Sequence, residues 1–151
     1  MNIDFSNITD YDAWISLARE VEPLFGPMAD EELFQEALRQ AISEHRAFCI
    51  REKIGDHKCL KGGIIISKEP NEIAWLAVSG QYRGKGLGRQ LLKFAVGKLN
   101  LQETIFVQTF DESIPEGRAA RKLYLNKGFI DCKDGGLNPA GMPTVIMKLT
   151  A

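Results

Sequence analysis

Cysteine is scarce in this sequence. The three present, Cys49, Cys59 and Cys132, are odd in number and far apart. That spacing argues against a disulfide framework and for a reducing, cytoplasmic setting. Cys49 lies in an apolar run and reads as a small core residue. Histidine is scarcer, with only His45 and His57, both isolated. No Cys/His cluster has zinc spacing, so no metal is expected. Long apolar runs are missing too: none approaches the ~20 residues of a membrane span. The first residues, Met1-Asn2-Ile3-Asp4, lack a basic region and an apolar core, so they do not read as a signal peptide. Charge of one sign is also missing. A net charge of −1 gives no bulk attraction to nucleic acid or to an anionic membrane, and neither is expected as a partner. No internal repeat, low-complexity tract or linker interrupts the chain. Its 151 residues, 44% hydrophobic and 26% charged, suit one domain over 1–151 with a sizeable core.

What is present is concentrated in residues 72–92. Ile73 to Val78 is apolar throughout, as a strand covered on both faces would be. Gly84, Gly86 and Gly88 follow at alternate positions. Leu87, Leu91, Ala95 and Leu99 then recur every fourth residue, which places them on one helix stripe. A strand feeding a helix through glycines aims several backbone N–H groups at one point. The helix dipole adds positive charge there, so an anion, usually a phosphate, is the natural ligand. Arg83, Lys85 and Arg89 surround the same point with full charges.

Two common nucleotide loops fail on spacing. The dinucleotide fingerprint G-x-G-x-x-G, started at Gly84, needs a third glycine where Arg89 stands. The P-loop needs glycine at Ser79 and Ser or Thr at Gly86. A third pattern fits: Arg83-x-x-Gly86-x-Gly88 matches Gln/Arg-x-x-Gly-x-Gly/Ala, and through it the chain resembles the GNAT superfamily of acetyl-CoA-dependent N-acetyltransferases. Ala120-x-x-Leu123-Tyr124-x-x-x-Gly128-Phe129 resembles a second signature of that family. One departure stands out. Many members carry Asn seven residues before that Tyr, where its side chain contacts the cofactor. This chain has Gly117 there, so that contact is missing or made by backbone.

The order of elements agrees with the resemblance. A short first strand spans Met1 to Ser6. Thr9 and Asp12 read as a capping box before a helix with Trp14, Leu17, Ala18, Val21, Leu24 and Phe25 inward. Gly26-Pro27 ends it. A second helix starts near Asp30 with Leu33, Phe34, Ala37, Leu38, Ala41 and Ile42 on its buried face. Strands are expected at Ala47–Arg51 and Leu60–Ser67, joined by a polar turn at Ile54-Gly55-Asp56-His57. Gly62-Gly63 allows close backbone approach. A fifth strand, Thr104 to Phe110, follows the glycine loop and its helix, which implies parallel pairing with the fourth. Ser113-x-x-Glu116 reads as a second capping box, for a helix ending near Gly128. Phe129–Lys133 and Thr144–Leu149 close the sheet around a flexible surface loop at 135–141. The fold class expected is α/β (α+β): a mixed, mostly antiparallel sheet of about seven strands with four helices, its fourth and fifth strands splayed.

The resemblance also implies roles. Acetyl-CoA would be the co-substrate, anchored by Arg83, Gly84, Lys85, Gly86, Leu87, Gly88 and Arg89, with Gly117 and Ala120 alongside. Its pantetheine arm would pair with Ala77 and Val78, leaving the Val78 N–H to face the carbonyl oxygen. Tyr124 holds the position of the general acid that protonates the departing sulfur. Glu72, counted back from Arg83 without a gap, falls where histone-type members place a catalytic Glu, although many relatives use a water chain. Glu22, Phe25 and Met28 lie in the connector that covers the acceptor site in the family, and Asp111 could attract a cationic amine. The function expected is acetyl transfer to a primary amine of a small molecule or a peptide, with the small molecule favoured; small metabolite, antibiotic, polyamine, protein N-terminus and lysine all stay open. The alternative is a GNAT-like module that senses acyl-CoA and transfers nothing. A monomer or homodimer is expected.

Overall fold

The structure is a computed structural model that describes residues 2–54 and 57–150. The elements in chain order are β1 (Ile3–Phe5), α1 (Tyr11–Phe25), α2 (Glu32–Ser43), β2 (Ala47–Ile54), β3 (His57–Ser67) and β4 (Glu72–Val78). Then come α3 (Leu87–Val96), β5 (Ile105–Phe110), α4 (Arg118–Lys127), β6 (Ile130–Leu137) and β7 (Pro143–Leu149). The seven strands form one sheet in the order β1-β2-β3-β4-β5-β7-β6. Among the described residues only β4 and β5 run parallel, as a strand–helix–strand crossover demands. The order of elements and the mixed sheet are those expected from the sequence. The turn expected at Ile54-Gly55-Asp56-His57 centres on Gly55 and Asp56, which lie outside the described residues.

Each face of the sheet carries two helices. The amphipathic stripe of α3, with Leu87, Leu91, Ala95 and the following Leu99 buried, packs with Tyr124 of α4 on Ile64, Ile66, Ile73, Ile105 and Met147. On the other face Trp14, Leu17 and Val21 of α1 and Leu38 and Ile42 of α2 cover Cys49, Leu60, Ile65 and Ala77. Gly63 lets α1 approach: a Cβ there would lie 2.4 Å from the Trp14 ring. The Trp14 indole N–H is satisfied by the Ser6 hydroxyl at 2.9 Å. Buried Asp10 accepts two hydrogen bonds from the Arg51 guanidinium, at 2.8 and 2.7 Å. Burial pushes its carboxyl up, but Arg51 and the Asn7 N–H outweigh that and hold it below the usual carboxylate range.

Several local expectations are corrected. The first capping box is Asn7 with Asp10, not Thr9 with Asp12, because a 3₁₀ turn at Ile8–Asp10 precedes α1. No capping box forms at Ser113 and Glu116. Asp111 takes the Ser113 N–H at 2.9 Å, and α4 begins only at Arg118 with Gly117 as an uncapped N-cap. On α2, Leu33 is 81% exposed. Phe34, Leu38, Ala41 and Ile42 set the inward face, and Leu33 lies about 140° around the wheel from Leu38. Ala37 is exposed for the same reason. In β4, Ile73 pairs with Ile66 and Trp75 with Ile65, so a bulge leaves Ala74 unpaired and exposed. The loop expected at 135–141 is shorter. Gly135 to Leu137 continue β6, and the turn at Asn138 is closed by its side chain, which accepts from the N–H groups of Ala140 and Met142.

Candidate active site

The site is built where two parallel strands stop pairing. β4 and β5 are in register only at Glu72–Phe106 and Ile73–Val107. Beyond that β5 stays with β7 through Phe110, while β4 stays with β3 through Val78. The strands therefore part, and a cavity opens on each side of the gap. The Ser79 N–H is donated to the Lys61 carbonyl of β3 at 2.8 Å. Strand alternation then turns the Val78 N–H the other way, into the gap.

The first cavity, of about 320 Å³, runs along the glycine loop. Ala77, Val78, Arg83, Gly84, Gly86, Leu87, Gly88, Arg89 and Ala120 all line it, with Val21, Leu24 and Leu123 as apolar walls. Gly84 and Gly86 have φ of +76° and +82°, and a Cβ on either would meet nothing within 4 Å. They are glycine for their left-handed backbone, and the space before them is open. The first hydrogen bond of the α3 start is Gln90 N–H to Gly86 carbonyl, at 3.1 Å. The N–H groups of Leu87, Gly88 and Arg89 are left pointing out of the helix, with no side-chain cap. Arg83, Lys85 and Arg89 are exposed around them, and Arg83 also donates to the Val78 carbonyl at 3.2 Å. Glu20 of α1 steadies the loop by accepting from the Ser79 hydroxyl and the Gly80 N–H. This donor set suits a pyrophosphate, and the open gap suits a chain-like arm.

The second cavity, of about 350 Å³, lies beyond the gap. It is walled by Phe25, Trp75, Phe110, Tyr124 and the β6–β7 turn at Leu137 to Pro139. Phe25, Leu76, Phe110 and Ala120 line both cavities and mark the passage between them. Phe25 meets Trp75 edge-on at 6.1 Å and Phe110 at 5.8 Å. Tyr124 is 4% exposed, its ring edge-to-face with Phe129 at 5.7 Å. Burial pushes its phenol above the ordinary range, which keeps the hydroxyl protonated at neutral pH. The roof is a contact between distant segments. Asn138 donates to the Leu24 carbonyl at 3.0 Å, and a Cβ on Gly26 would fall 2.6 Å from Pro139.

The other sequence candidates lie outside both linings. Glu72 sits at the paired end of β4, half-buried, and burial raises its pKa. Glu22 accepts the Met28 and Ala29 N–H groups at 2.8 and 2.9 Å and so shapes the α1–α2 connector. Met28 packs into the core under α1 and α2. Asp111 is held below the usual carboxylate range by the Ser113 N–H. Gly117 stands under Phe110: a Cβ there would lie 2.4 Å from the Phe110 Cβ, so no side chain fits. That accounts for the missing Asn. Trp75, Phe110, Asn138 and Tyr82 were not singled out from sequence. Trp75 and Phe110 sit in strands that read as core, and only the parting of β4 from β5 gives them a cavity. Among the described residues no three His, Cys, Asp or Glu side chains converge on a metal position, and no helix is long and apolar enough to cross a membrane.

A sheet parted beside a glycine turn and a helix start defines the N-acyltransferase class of fold. The chain belongs to the GNAT acetyltransferase family: residues 43–131 match the Acetyltransferase (GNAT) domain. Solved structures share the whole fold at low identity. The NatC complex bound to Gag peptide and CoA is 22% identical, with a TM-score of 0.74 over 100% of this chain and 99% of that one. The ribosomal-protein-S18-alanine N-acetyltransferase of Escherichia coli is 19% identical, with a TM-score of 0.67 over 98% and 92%. The yncA protein of Salmonella typhimurium, solved with its cofactor acetyl-CoA, is 16% identical, with a TM-score of 0.70 over 99% and 93%. Comparison with curated protein sequences gives no significant match.

Proposed function

We propose that this protein transfers the acetyl group of acetyl-CoA to a primary amine. The observation that carries the reading is the pair of cavities meeting at the β4–β5 gap, with the glycine turn on one side and Tyr124 on the other. Acetyl-CoA, when bound, supplies an activated thioester. The N–H groups of residues 87–89, with Arg83, Lys85 and Arg89, hold its pyrophosphate, and the β4 edge at Ala77 and Val78 receives the pantetheine arm. The acceptor nitrogen reaches the carbonyl carbon through the passage at Phe25 and Phe110. As the C–N bond forms and the C–S bond breaks, the Val78 N–H faces the charge that develops on oxygen. Loss of such a donor typically costs ~10²–10³ in rate.

Tyr124 gives the sulfur its proton. Burial raises the pKa of a thiolate as well, which narrows the gap to the phenol. The proton lost by the nitrogen after attack restores the phenol. The proton that an ammonium sheds before attack leaves through water, with Glu72 as the candidate terminal base, since Glu72 lines neither cavity. Support for a peptide acceptor comes from NatC, solved with a Gag peptide, and from the S18-alanine enzyme. A small-molecule acceptor is the reading the sequence favoured. The reading of a silent acyl-CoA sensor is disfavoured by a protonated Tyr124 facing the second cavity. Free-thiol release from acetyl-CoA across a panel of amines tests the proposal. Binding of CoA without turnover of any amine would reject it.

A further inference from the structure

The second cavity carries no charge. Among the described residues, no Asp, Glu, Lys, Arg or His lines it. Two nearby carboxylates are engaged elsewhere: Glu22 on the Met28 and Ala29 N–H groups, Asp111 on the Ser113 N–H. Arg121 is paired with Asp131 at 2.7 Å. Three of the polar side chains in the lining are committed. Gln108 donates to the Gly135 carbonyl and the Thr144 hydroxyl, Thr144 donates to the Gly136 carbonyl, and Asn138 donates to the Leu24 carbonyl. Phe25, Trp75, Phe110 and Leu137 give the remaining surface its aromatic and apolar character. The Trp75 ring packs against Trp14, Phe25 and Phe34, and its buried indole N–H has no hydrogen-bond partner.

Resting on the transfer reading above, we propose that the acceptor is the α-amino group of a peptide whose first residue is apolar. Three points lead there. An ammonium entering this cavity finds no carboxylate, so a polyamine or a lysine side chain is not recognised as a cation. The nitrogen must also be neutral to attack. At pH 7.5 about a third of α-amino groups are neutral, against about one in a thousand alkyl amines with pKa near 10.4. A site that offers no acid near the nitrogen suits the α-amine. Finally, no cation is present to meet a free carboxylate. A peptide, whose backbone continues there as a neutral amide, fits better than a free amino acid.

The test is thiol release by the intact protein at pH 7.5 with five acceptors. They are a lysine-free hexapeptide amide beginning Leu-Phe, its counterpart beginning Asp-Asp, an N-acetylated hexapeptide with one internal lysine, spermidine, and free leucine. The Leu-Phe peptide is expected to exceed each of the others by at least ~10-fold in kcat/KM, the scale on which apolar pockets discriminate. Leu137→Glu, at a 70% exposed wall position, should raise spermidine several-fold relative to the Leu-Phe peptide. Equal rates for spermidine, the lysine peptide or free leucine overturn the inference and leave the transfer reading standing. Unchanged ratios in Leu137→Glu also overturn it, by taking this cavity off the acceptor path. Turnover of no amine, with CoA still bound in calorimetry, overturns the transfer reading and this inference together.

Discussion

The two cavities that meet at the β4–β5 gap are made in opposite ways. The first is assembled from neighbours in sequence: Val78, Arg83, the glycines and Arg89 fall within a dozen residues, and its recognition groups are backbone N–H and exposed basic side chains. The second draws Phe25, Trp75, Phe110, Tyr124 and Asn138 from five separate elements, and its surface is aromatic and uncharged. The donors of the first lie close together in sequence, and Glu20 of α1 steadies their loop. The second exists only when the sheet, α1, α4 and the β6–β7 turn are all in place. On the proposed reading the difference separates anchoring from reaction, and each side can be perturbed alone.

The largest effect expected is at Tyr124. Tyr124→Phe keeps the ring and its contact with Phe129 and removes only the hydroxyl. As general acid it should cost ~10²–10³ in kcat. The dissociation constant for acetyl-CoA, measured by calorimetry, should barely move. An equal loss of affinity would mean the two cavities are not separable. Gly86→Asp attacks the other side. It forces a side chain into the left-handed region and sets a carboxylate where phosphate must approach. CoA affinity should fall by at least ~100-fold, or about 3 kcal/mol, with an unchanged circular dichroism spectrum. Retained affinity would remove the glycine loop from phosphate binding.

Gly117→Ala tests the passage between the cavities. Its Cβ would sit 2.4 Å from the Phe110 Cβ. Overpacking of this kind costs about 1–3 kcal/mol, visible as a drop of several degrees in Tm. An unshifted melt would separate position 117 from Phe110.

The smallest effect concerns Glu72, whose pKa burial raises. The folded state then holds this proton to higher pH than the unfolded chain does. Stability therefore falls as pH rises from the ordinary carboxylate value to the raised one. Glu72→Gln should abolish that slope in urea melts taken across the acid range. If Glu72 ends the proton path, Glu72→Gln should also lower turnover ~3–10-fold at neutral pH. Wild-type activity should then fall on the acid side, at a pH above the usual carboxylate range. A rate unchanged from pH 6 to 9 would return the path to water alone.

Much of the fold could be read in advance because its signals are short-range. The stripe of Leu87, Leu91, Ala95 and Leu99 and the αL stop at Gly128 are decided by a few neighbours each. Errors arose where two local solutions compete. Asn7 and Thr9 both offer a cap, and the 3₁₀ turn before α1 selects Asn7. Ser113 and Glu116 have capping-box spacing, yet Asp111 reaches the Ser113 N–H first. Leu33 is apolar and at helical spacing, but the packing of α2 on the sheet leaves it in water.

The sequence by itself determined the anchoring side: the glycine spacing, the basic residues around it, and the helix start that turns three N–H groups outward. These depend on backbone conformations that glycine permits and on the geometry of one helical turn. Beyond Phe25 and Tyr124, tertiary structure decided the second cavity. Asn138 closes on the Leu24 carbonyl across 114 residues of chain. Trp75 and Phe110 become cavity walls only because β5 leaves β4 after Val107. Gly117 loses any room for a side chain only because Phe110 folds over it. Side chains from such distant positions acquire a shared surface through packing, and packing is a property of the assembled fold.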